Sequence, residues 1–340
     1  MISCIICHHT GVFIHKCVES IRKSIGVQYE IIVITSNVHL KVDNAKVYYF
    51  NEGPAGKRNL GACYARGDYL AFFDDDTIIM PYCLQEMQRL VECGMVYSKL
   101  LTMGTNRFDD AGSHLGGWGF LIERSKNVED TGQFNYYQSI LAGKSASCMI
   151  KRNIFERIGG FDTSFFMFGE ETDLSWRVWL AGFKVFFMPY AVTYHAFNTP
   201  LKDVKQFYSQ KTIHYHGCKN YITMLIKNLE WKNLIWILPK HLLVWVLVGF
   251  IFILKLEFQK AGYTFRGIGY NFWHFRAILR KKCYLNAHIR IKKDKEIAQY
   301  IFLATPFSYY INRFITYIAK GRSGRQYEKR NDLWCDVFGR

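Results

Sequence analysis

Residues 69 to 76 read YLAFFDDD, an almost wholly apolar run that passes directly into three carboxylates. Such a run is typical of a buried strand, so Asp74, Asp75 and Asp76 lie at its carboxyl end. In open α/β sheets ligands bind at that end of the strands, where loops and helix N-termini line a crevice. The segment therefore predicts a fold class and the edge of the sheet at which a site is found.

The sequence before this segment alternates between strand and helix patterns. Residues 2–7 (ISCIIC) and 30–35 (EIIVIT) are near-continuous apolar runs, separated by apolar residues at helical spacing. A third strand pattern (47–50) and a glycine-containing helix pattern (55–65) lead back to the acidic strand. We predict an α/β fold with a Rossmann-like, mostly parallel sheet covered by helices on both faces.

The sequence after the acidic strand is less regular. Residues 103–137 are polar and rich in glycine, which predicts a long loop or lid. A helix is predicted from Glu170 to Ala181, after the turn at Gly159-Gly160.

The net charge of +16 is divided unevenly along the chain. Residues 1–200 carry 19 basic and 20 acidic side chains, whereas residues 201–340 carry 25 and 8. A basic, aromatic-rich half favours an anionic lipid surface as partner, with nucleic acid as the alternative. We therefore predict an α/β domain over 1–200 and a basic, apolar, mainly helical region over 201–340.

Two apolar stretches, 234–254 and 297–318, lie in the basic half. If both crossed a bilayer, the connection 255–296, with 11 basic and 3 acidic residues, would have to leave the cytosol. That arrangement opposes the positive-inside rule. We expect amphipathic or re-entrant segments that lie in the cytoplasmic interface of the cell membrane, the alternative being an ordinary helical appendage.

The N-terminus and the cysteines favour the cytosol. Met1 leads straight into a strand pattern without a signal peptide, so we expect reduced thiols. Cys4 and Cys7 form a CxxC pair, but no second Cys or His pair at ligand spacing follows. A buried strand end is therefore favoured over a zinc site.

Three adjacent carboxylates raise one another's pKa, and a bound cation removes that penalty. Asp74 to Asp76 therefore predict a Mg²⁺ or Mn²⁺ site, the alternative being a turn in which Asp76 or Thr77 caps a helix. Ile78 stands where a haloacid-dehalogenase-type phosphatase needs Thr and where a prenyl synthase needs Asp. Spacing therefore excludes both of those classes.

A second acidic cluster, Glu170-Glu171-Thr172-Asp173, lies at the predicted helix start. The helix macrodipole is expected to keep such carboxylates ionised, as a general base requires at neutral pH. Simple N-terminal capping is the alternative.

These motifs occur in a particular order, which is more specific than any one of them. NEGPAGKRNLG (51–61), YLAFFDDD (69–76), GGFD (159–162), FMFGEETDLSWR (166–177) and His195 together resemble the family 2 glycosyltransferases of GT-A fold over about residues 1–200. The segments around Gly112 and EETDLSWR are similar to the rhamnosyltransferase-like members. The resemblance implies inverting transfer of one sugar from a nucleotide-diphosphate donor to a saccharide or polyprenyl-linked acceptor, in polysaccharide biosynthesis, with Mg²⁺ or Mn²⁺.

The resemblance also implies roles for individual residues. Asp74 and Asp76 match the metal-and-diphosphate motif, and His195 matches a histidine that completes the metal shell in some relatives. Glu171 matches the base that deprotonates the acceptor. The positions implied to face the donor are His8, His9, Thr35, Arg58, Asn59, Asp74 and Asp75. Thr35 stands where relatives usually carry an Asp that reads the pyrimidine, which leaves the nucleotide base open.

Three other functions compete with this one. A processive polysaccharide synthase on the same fold would carry a Gln-x-x-Arg-Trp motif, which is missing here. A nucleotidyltransferase would need a glycine-rich basic loop after the first strand, where only Gly11 lies. A non-catalytic protein that binds lipid or nucleic acid would suit the basic half but leaves both acidic clusters unexplained.

Overall fold

The computed structural model describes residues 1–9, 13–125, 127–196 and 212–319. The strands are β1 (Ile2–His8), β2 (Tyr29–Thr35), β3 (Lys46–Tyr49), β4 (Tyr69–Asp74), β5 (Thr77–Ile79), β6 (Gly94–Thr102), β7 (Phe108–Asp110), β8 (Ser113–Gly116), β9 (Leu121–Glu123), β10 (Gln138–Ser139), β11 (Ser147–Lys151), β12 (Lys184–His195) and β13 (Phe302–Leu303). The helices are α1 (Ile14–Arg22), α2 (Pro54–Tyr64), α3 (Cys83–Val91), α4 (Arg152–Arg157), α5 (Glu170–Leu180), α6 (Gly217–Asn228), α7 (Trp231–Leu254), α8 (Phe258–Trp273), α9 (Phe275–His288), α10 (Asp294–Ile301) and α11 (Phe307–Ala319).

The central sheet has the order β10-β12-β6-β11-β4-β1-β2-β3, with β5 and β7 paired to β12 and β6. Four pairs of strands are parallel: β1 with β2, β1 with β4, β2 with β3, and β6 with β12. β11 lies between β4 and β6 and runs antiparallel to both. Residues of α1 and α3 pack in an apolar cluster on one face, and α2, α4 and α5 contribute to the cluster on the other. The predicted mostly parallel, doubly covered sheet is confirmed.

The prediction of a loop or lid over residues 103–137 is wrong for much of that segment. β7, β8 and β9 lie there, and Phe108, Leu115 and Ile122 are buried in the core. Gly112 and Gly119 adopt positive φ angles of 92° and 77°, which allow tight turns between very short strands. Strands of three or four residues leave too little apolar alternation to be recognised in the sequence.

The C-terminal helices are packed onto the α/β part of the chain. β13 pairs with β8 to complete a three-stranded sheet with β9. The predicted domain boundary at residue 200 falls outside the described residues and stays a prediction. Of the two apolar stretches, 234–254 lies within α7, which is long and apolar enough to cross a membrane. The stretch 297–318 is divided between α10, β13 and α11.

Candidate active site

The first acidic cluster is assembled by the pairing of three strands. β4 ends at Asp74, and β5 begins three residues later, antiparallel to β12, with His195 opposite Thr77. This register places His195 Nε2 3.1 Å from an Asp76 carboxylate oxygen. Ligand atoms of Asp74, Asp76 and His195 all lie within 4.8 Å of one another. The three residues assigned to metal binding are thus brought together.

A buried carboxylate contacts the Nδ1 side of the His195 imidazole. Its Nδ1 lies 2.8 Å from Asp109, whose other oxygen accepts a hydrogen bond from Lys144 at 2.6 Å. Burial lowers the pKa of His195, but Asp76 and Asp109 outweigh it and raise that pKa to about 10. A carboxylate behind an imidazole is the usual arrangement for a metal-ligating histidine. Two carboxylates and one imidazole fit Mn²⁺ or Mg²⁺, with the ion taking the place of the Nε2 proton.

Sequence reasoning missed Asp109 and Lys144. The pair Asp109-Asp110 does follow an apolar residue, which is the same signal that marks residues 74 to 76. Because the surrounding segment was interpreted as a loop, no strand end was expected there.

Arg58 joins the two acidic clusters. Its buried guanidinium donates to Asp74 at 2.8 Å and to Glu170 at 3.0 Å. Arg58 lies on α2, which crosses the sheet beside β1. The predicted donor-facing residue thus connects the carboxyl end of β4 to the start of α5.

The remaining donor-side residues form a second group at the end of β1. His8 Nδ1 lies 2.8 Å from the Thr35 hydroxyl, because β1 and β2 pair with these residues side by side. The backbone N–H of His9 donates to Asp75 at 2.9 Å. Buried Lys57, which sequence reasoning did not select, donates to the His8 carbonyl at 2.7 Å.

Asn59 does not join this group. Its side-chain amide both donates to and accepts from the backbone of Phe161, at 2.8 and 2.9 Å. Asn59 thus fixes the Gly160-Phe161 turn against α2, and its contact with the donor stays a prediction.

The second acidic cluster opens α5, as predicted. Glu170 is buried against Arg58, and the neighbouring Glu171 is half-buried. Burial, together with the charge of Glu170, raises the pKa of Glu171 well above its usual range. The expectation that the helix macrodipole governs its ionisation is therefore wrong, because desolvation and like charge outweigh it. A raised pKa strengthens a carboxylate as a base near neutrality.

The loop before α5 is held by a helix of the C-terminal region. Phe166 and Phe168 have positive φ angles of 60° and 68°, which are strained for such residues. The buried Asn220 side chain of α6 reaches the carbonyl oxygens of Phe165, Met167 and Phe168 at 2.7 to 2.9 Å. α6 thereby fixes the conformation of the loop that leads into Glu170 and Glu171.

Asp173 is a structural residue, although not the cap that its position suggests. It is fully buried and forms ion pairs with Arg177 and with Lys227 of α6, and Asn228 donates to it at 2.9 Å. Lys227 also pairs with Asp162. The charge network therefore ties α5 to α6.

With this geometry in place, the sequence was compared with known families. The family described as "Glycosyltransferase like family 2" matches residues 1–235. The chain belongs to this family. The membership confirms the resemblance noted from the motifs and makes the protein an enzyme of the glycosyltransferase class. The finer resemblance to rhamnosyltransferase-like members stays a prediction.

Individual relatives are more distant. The putative glycosyltransferase EpsH of Bacillus subtilis (strain 168) is 24% identical over 149 residues, which cover 40% of this chain and 41% of EpsH. A crystal structure of GalNAc-T7 with UDP, GalNAc and Mn²⁺ aligns with a TM-score of 0.53 and 19% identity, over 66% of this chain and 47% of that one. A crystal structure of S. aureus TarS 1-349 aligns with a TM-score of 0.50 and 13% identity, over 96% and 93%. These structures confirm the GT-A fold.

Proposed function

We propose that this glycosyltransferase moves a single sugar from a nucleotide-diphosphate donor to a hydroxyl of a saccharide or lipid-linked acceptor, with inversion and with help from Mn²⁺ or Mg²⁺. The observation that carries the proposal is the Asp74, Asp76 and His195 cluster, linked through Arg58 to the Glu170-Glu171 pair. One cluster is arranged to hold a cation, and the other carries a carboxylate with a raised pKa.

The chemistry divides between the two clusters. Glu171 takes the proton of the acceptor hydroxyl while the acceptor oxygen attacks the anomeric carbon, and the bond from that carbon to the diphosphate oxygen breaks. A bound divalent ion supplies positive charge to the leaving diphosphate. A single in-line displacement driven by one base inverts the anomeric centre. His8, Thr35 and Asp75 contribute the polar groups that meet the nucleotide.

The acceptor and the place of reaction form the finer part of the proposal. The basic helical region favours peripheral attachment to the cytoplasmic face of the cell membrane, where a polyprenyl-linked saccharide is available. A role in polysaccharide biosynthesis follows from such an acceptor.

Calorimetry tests the donor site directly. Wild-type protein is titrated with UDP, dTDP and GDP and their sugars, first with Mn²⁺ and then with EDTA. We expect metal-dependent binding of one nucleotide, loss of that binding in Asp76→Ala, and unchanged binding in Asp43→Ala, which removes an exposed carboxylate elsewhere. Folded wild-type protein that binds no nucleotide at millimolar ligand would contradict the proposal.

A further inference from the structure

The helix α7 is apolar around most of its circumference, and its last thirteen residues carry no charged side chain. It has 24 residues, and its 18-residue window of highest hydropathy averages 2.3 with only a third of that window buried. A helix that is apolar on all sides is normally buried on all sides. Something other than the described part of the chain must therefore cover its outer face.

The inner face of α7 is seated on the protein along nearly its full length. Leu234, Ile237, His241, Trp245, Val248 and Phe252 are buried. His241 Nδ1 lies 2.9 Å from the Trp118 carbonyl, and Trp245 donates to His241 Nε2 at 2.9 Å. From Leu234 to Phe252 this face runs about 27 Å at 1.5 Å per residue.

This attachment leaves no free length with which to cross a bilayer. The hydrocarbon core is about 30 Å thick, so a spanning α7 would draw into it the helices α6, α8 and α11 that pack on its inner face, together with the segment at Trp118. The helix therefore lies along a surface.

The outer face carries an apolar stripe that is interrupted once, by the exposed Lys240 between Trp236 and Leu243. Trp236, Leu243, Leu247, Phe250 and Leu254 recur every three, four or seven residues and are 71%, 54%, 45%, 55% and 82% exposed. The exposed Leu256 and Phe258 extend the stripe into α8. An exposed patch of this kind marks an interaction surface.

The charges near the stripe distinguish a lipid surface from a second copy of the chain. α7 contains no acidic residue, while the exposed Lys232, Lys240 and Lys255 lie on or beside it. In a symmetric dimer through this stripe, the lysines would meet like charges without an acid on α7 to pair with. Lipid phosphates supply the missing anions, and lysine stems can lie along apolar surface with the ammonium in the headgroup layer.

We propose that α7 lies in the plane of an anionic membrane surface, with the stripe Trp236, Leu243, Leu247, Phe250 and Leu254 inserted among the acyl chains and its inner face packed on α6, α8 and α11 and on the segment at Trp118. The inference rests on the membrane attachment proposed above and specifies its mode: the helix is embedded from one side and does not span.

Vesicle flotation of the full chain tests the stripe. Vesicles of phosphatidylcholine with a minor share of phosphatidylglycerol are compared with phosphatidylcholine alone, using wild type, Leu247→Glu, Phe250→Glu and the control Val38→Glu, which alters an exposed apolar residue far from α7 in sequence. We expect binding to the anionic vesicles, a loss of about tenfold or more in either α7 variant, and no loss in the control. Alkaline carbonate is expected to release the bound protein.

Three results would overturn the proposal: no flotation of wild type, flotation unaffected by both α7 variants, or resistance to carbonate extraction, which a spanning helix would show. A dimer in lipid-free solution that Phe250→Glu dissociates would assign the stripe to a second copy instead. Metal-dependent nucleotide binding is measured on the same samples. Intact nucleotide binding without flotation rejects this inference and the membrane attachment on which it rests but leaves the transferase proposal standing, and flotation without nucleotide binding rejects only the transferase proposal.

Discussion

Both acidic clusters are built from carboxylates, but the neighbours of these carboxylates carry opposite charges. Asp74 and Asp76 lie at strand ends among cationic or protonatable partners, Arg58 and His195, all from the first 200 residues. Glu171 lies at a helix start beside another carboxylate, and its approach loop is held by a side chain of α6. The neighbouring groups thus decide whether the negative charge of a carboxylate is stabilised or penalised.

The largest effect is expected at the base. Glu171→Gln removes the proton acceptor while keeping size and polarity, so kcat should fall by about 10³-fold. Metal-dependent nucleotide binding should persist, because the Asp74, Asp76 and His195 cluster is untouched. Steady-state kinetics and calorimetry on the same preparation measure both, with exposed Glu156→Gln as the control. Loss of nucleotide binding in Glu171→Gln would show that the two clusters are not separable.

Asp109→Asn tests the support behind His195. The substitution weakens the hydrogen bond that orients the imidazole, so Mn²⁺ affinity should fall by about tenfold to a hundredfold. Mn²⁺ titration followed by calorimetry is the measurement. Asp130→Asn is the matched control, because Asp130 also pairs with a lysine but belongs to a different ion pair. Equal effects from both variants would point to a general structural defect.

Asn220→Ala tests the dependence of the base on the C-terminal region. Removing the amide releases three carbonyl oxygens of the loop before α5, and misplacing Glu171 by a fraction of an ångström should lower kcat by about tenfold. Nucleotide affinity should change little. The exposed Asn286→Ala is the control. If Asn220→Ala changed nucleotide affinity but kept kcat, the loop would serve donor binding and not the positioning of Glu171.

The smallest effect concerns pH. A base acts only when deprotonated, and Glu170 helps to raise the pKa of Glu171, so activity should fall on acidification at a higher pH than an ordinary glutamate would give. Glu170→Gln removes the like charge and should move this acid limb to lower pH. The pH profile of kcat/KM for wild type and variant measures the shift. If the acid limb of the Glu170→Gln profile stayed at the wild-type pH or moved to higher pH, Glu170 would not be a cause of the raised pKa of Glu171.

The sequence predicts the strands whose apolar residues form an uninterrupted local pattern. Apolar runs ending in polar residues identify β1, β2 and β4, and the acids after β4 become the metal cluster because parallel strands end at one edge. The pairing of β5 with β12, which brings His195 to Asp76, depends on residues more than a hundred positions apart. That contact came from the family resemblance, since a local pattern contains no long-range register.

Other features depend on packing that no local pattern encodes. The strands around Asp109 are too short to be recognised in the sequence, so the residue is not predicted as part of the site. Asn59 occupies a motif position, but its side-chain amide forms hydrogen bonds with the Phe161 backbone. The pKa of Glu171 follows from burial, which the sequence of the α5 start does not reveal. Asn220 lies beyond the motifs on which the resemblance rests, so only the folded chain shows its contact with the loop.

The small sheet formed by β8, β9 and β13 has a consequence for biosynthesis. β8 and β9 are close in sequence and can pair early, whereas β13 lies far later in the sequence and leaves the ribosome after them. Until then, the edge of β8 that β13 will cover carries unpaired backbone groups, a template on which other chains can add. A nascent or truncated chain that ends before Phe302 therefore exposes this strand edge and is open to aggregation there. Once β13 has been made, it pairs with β8 and removes the edge.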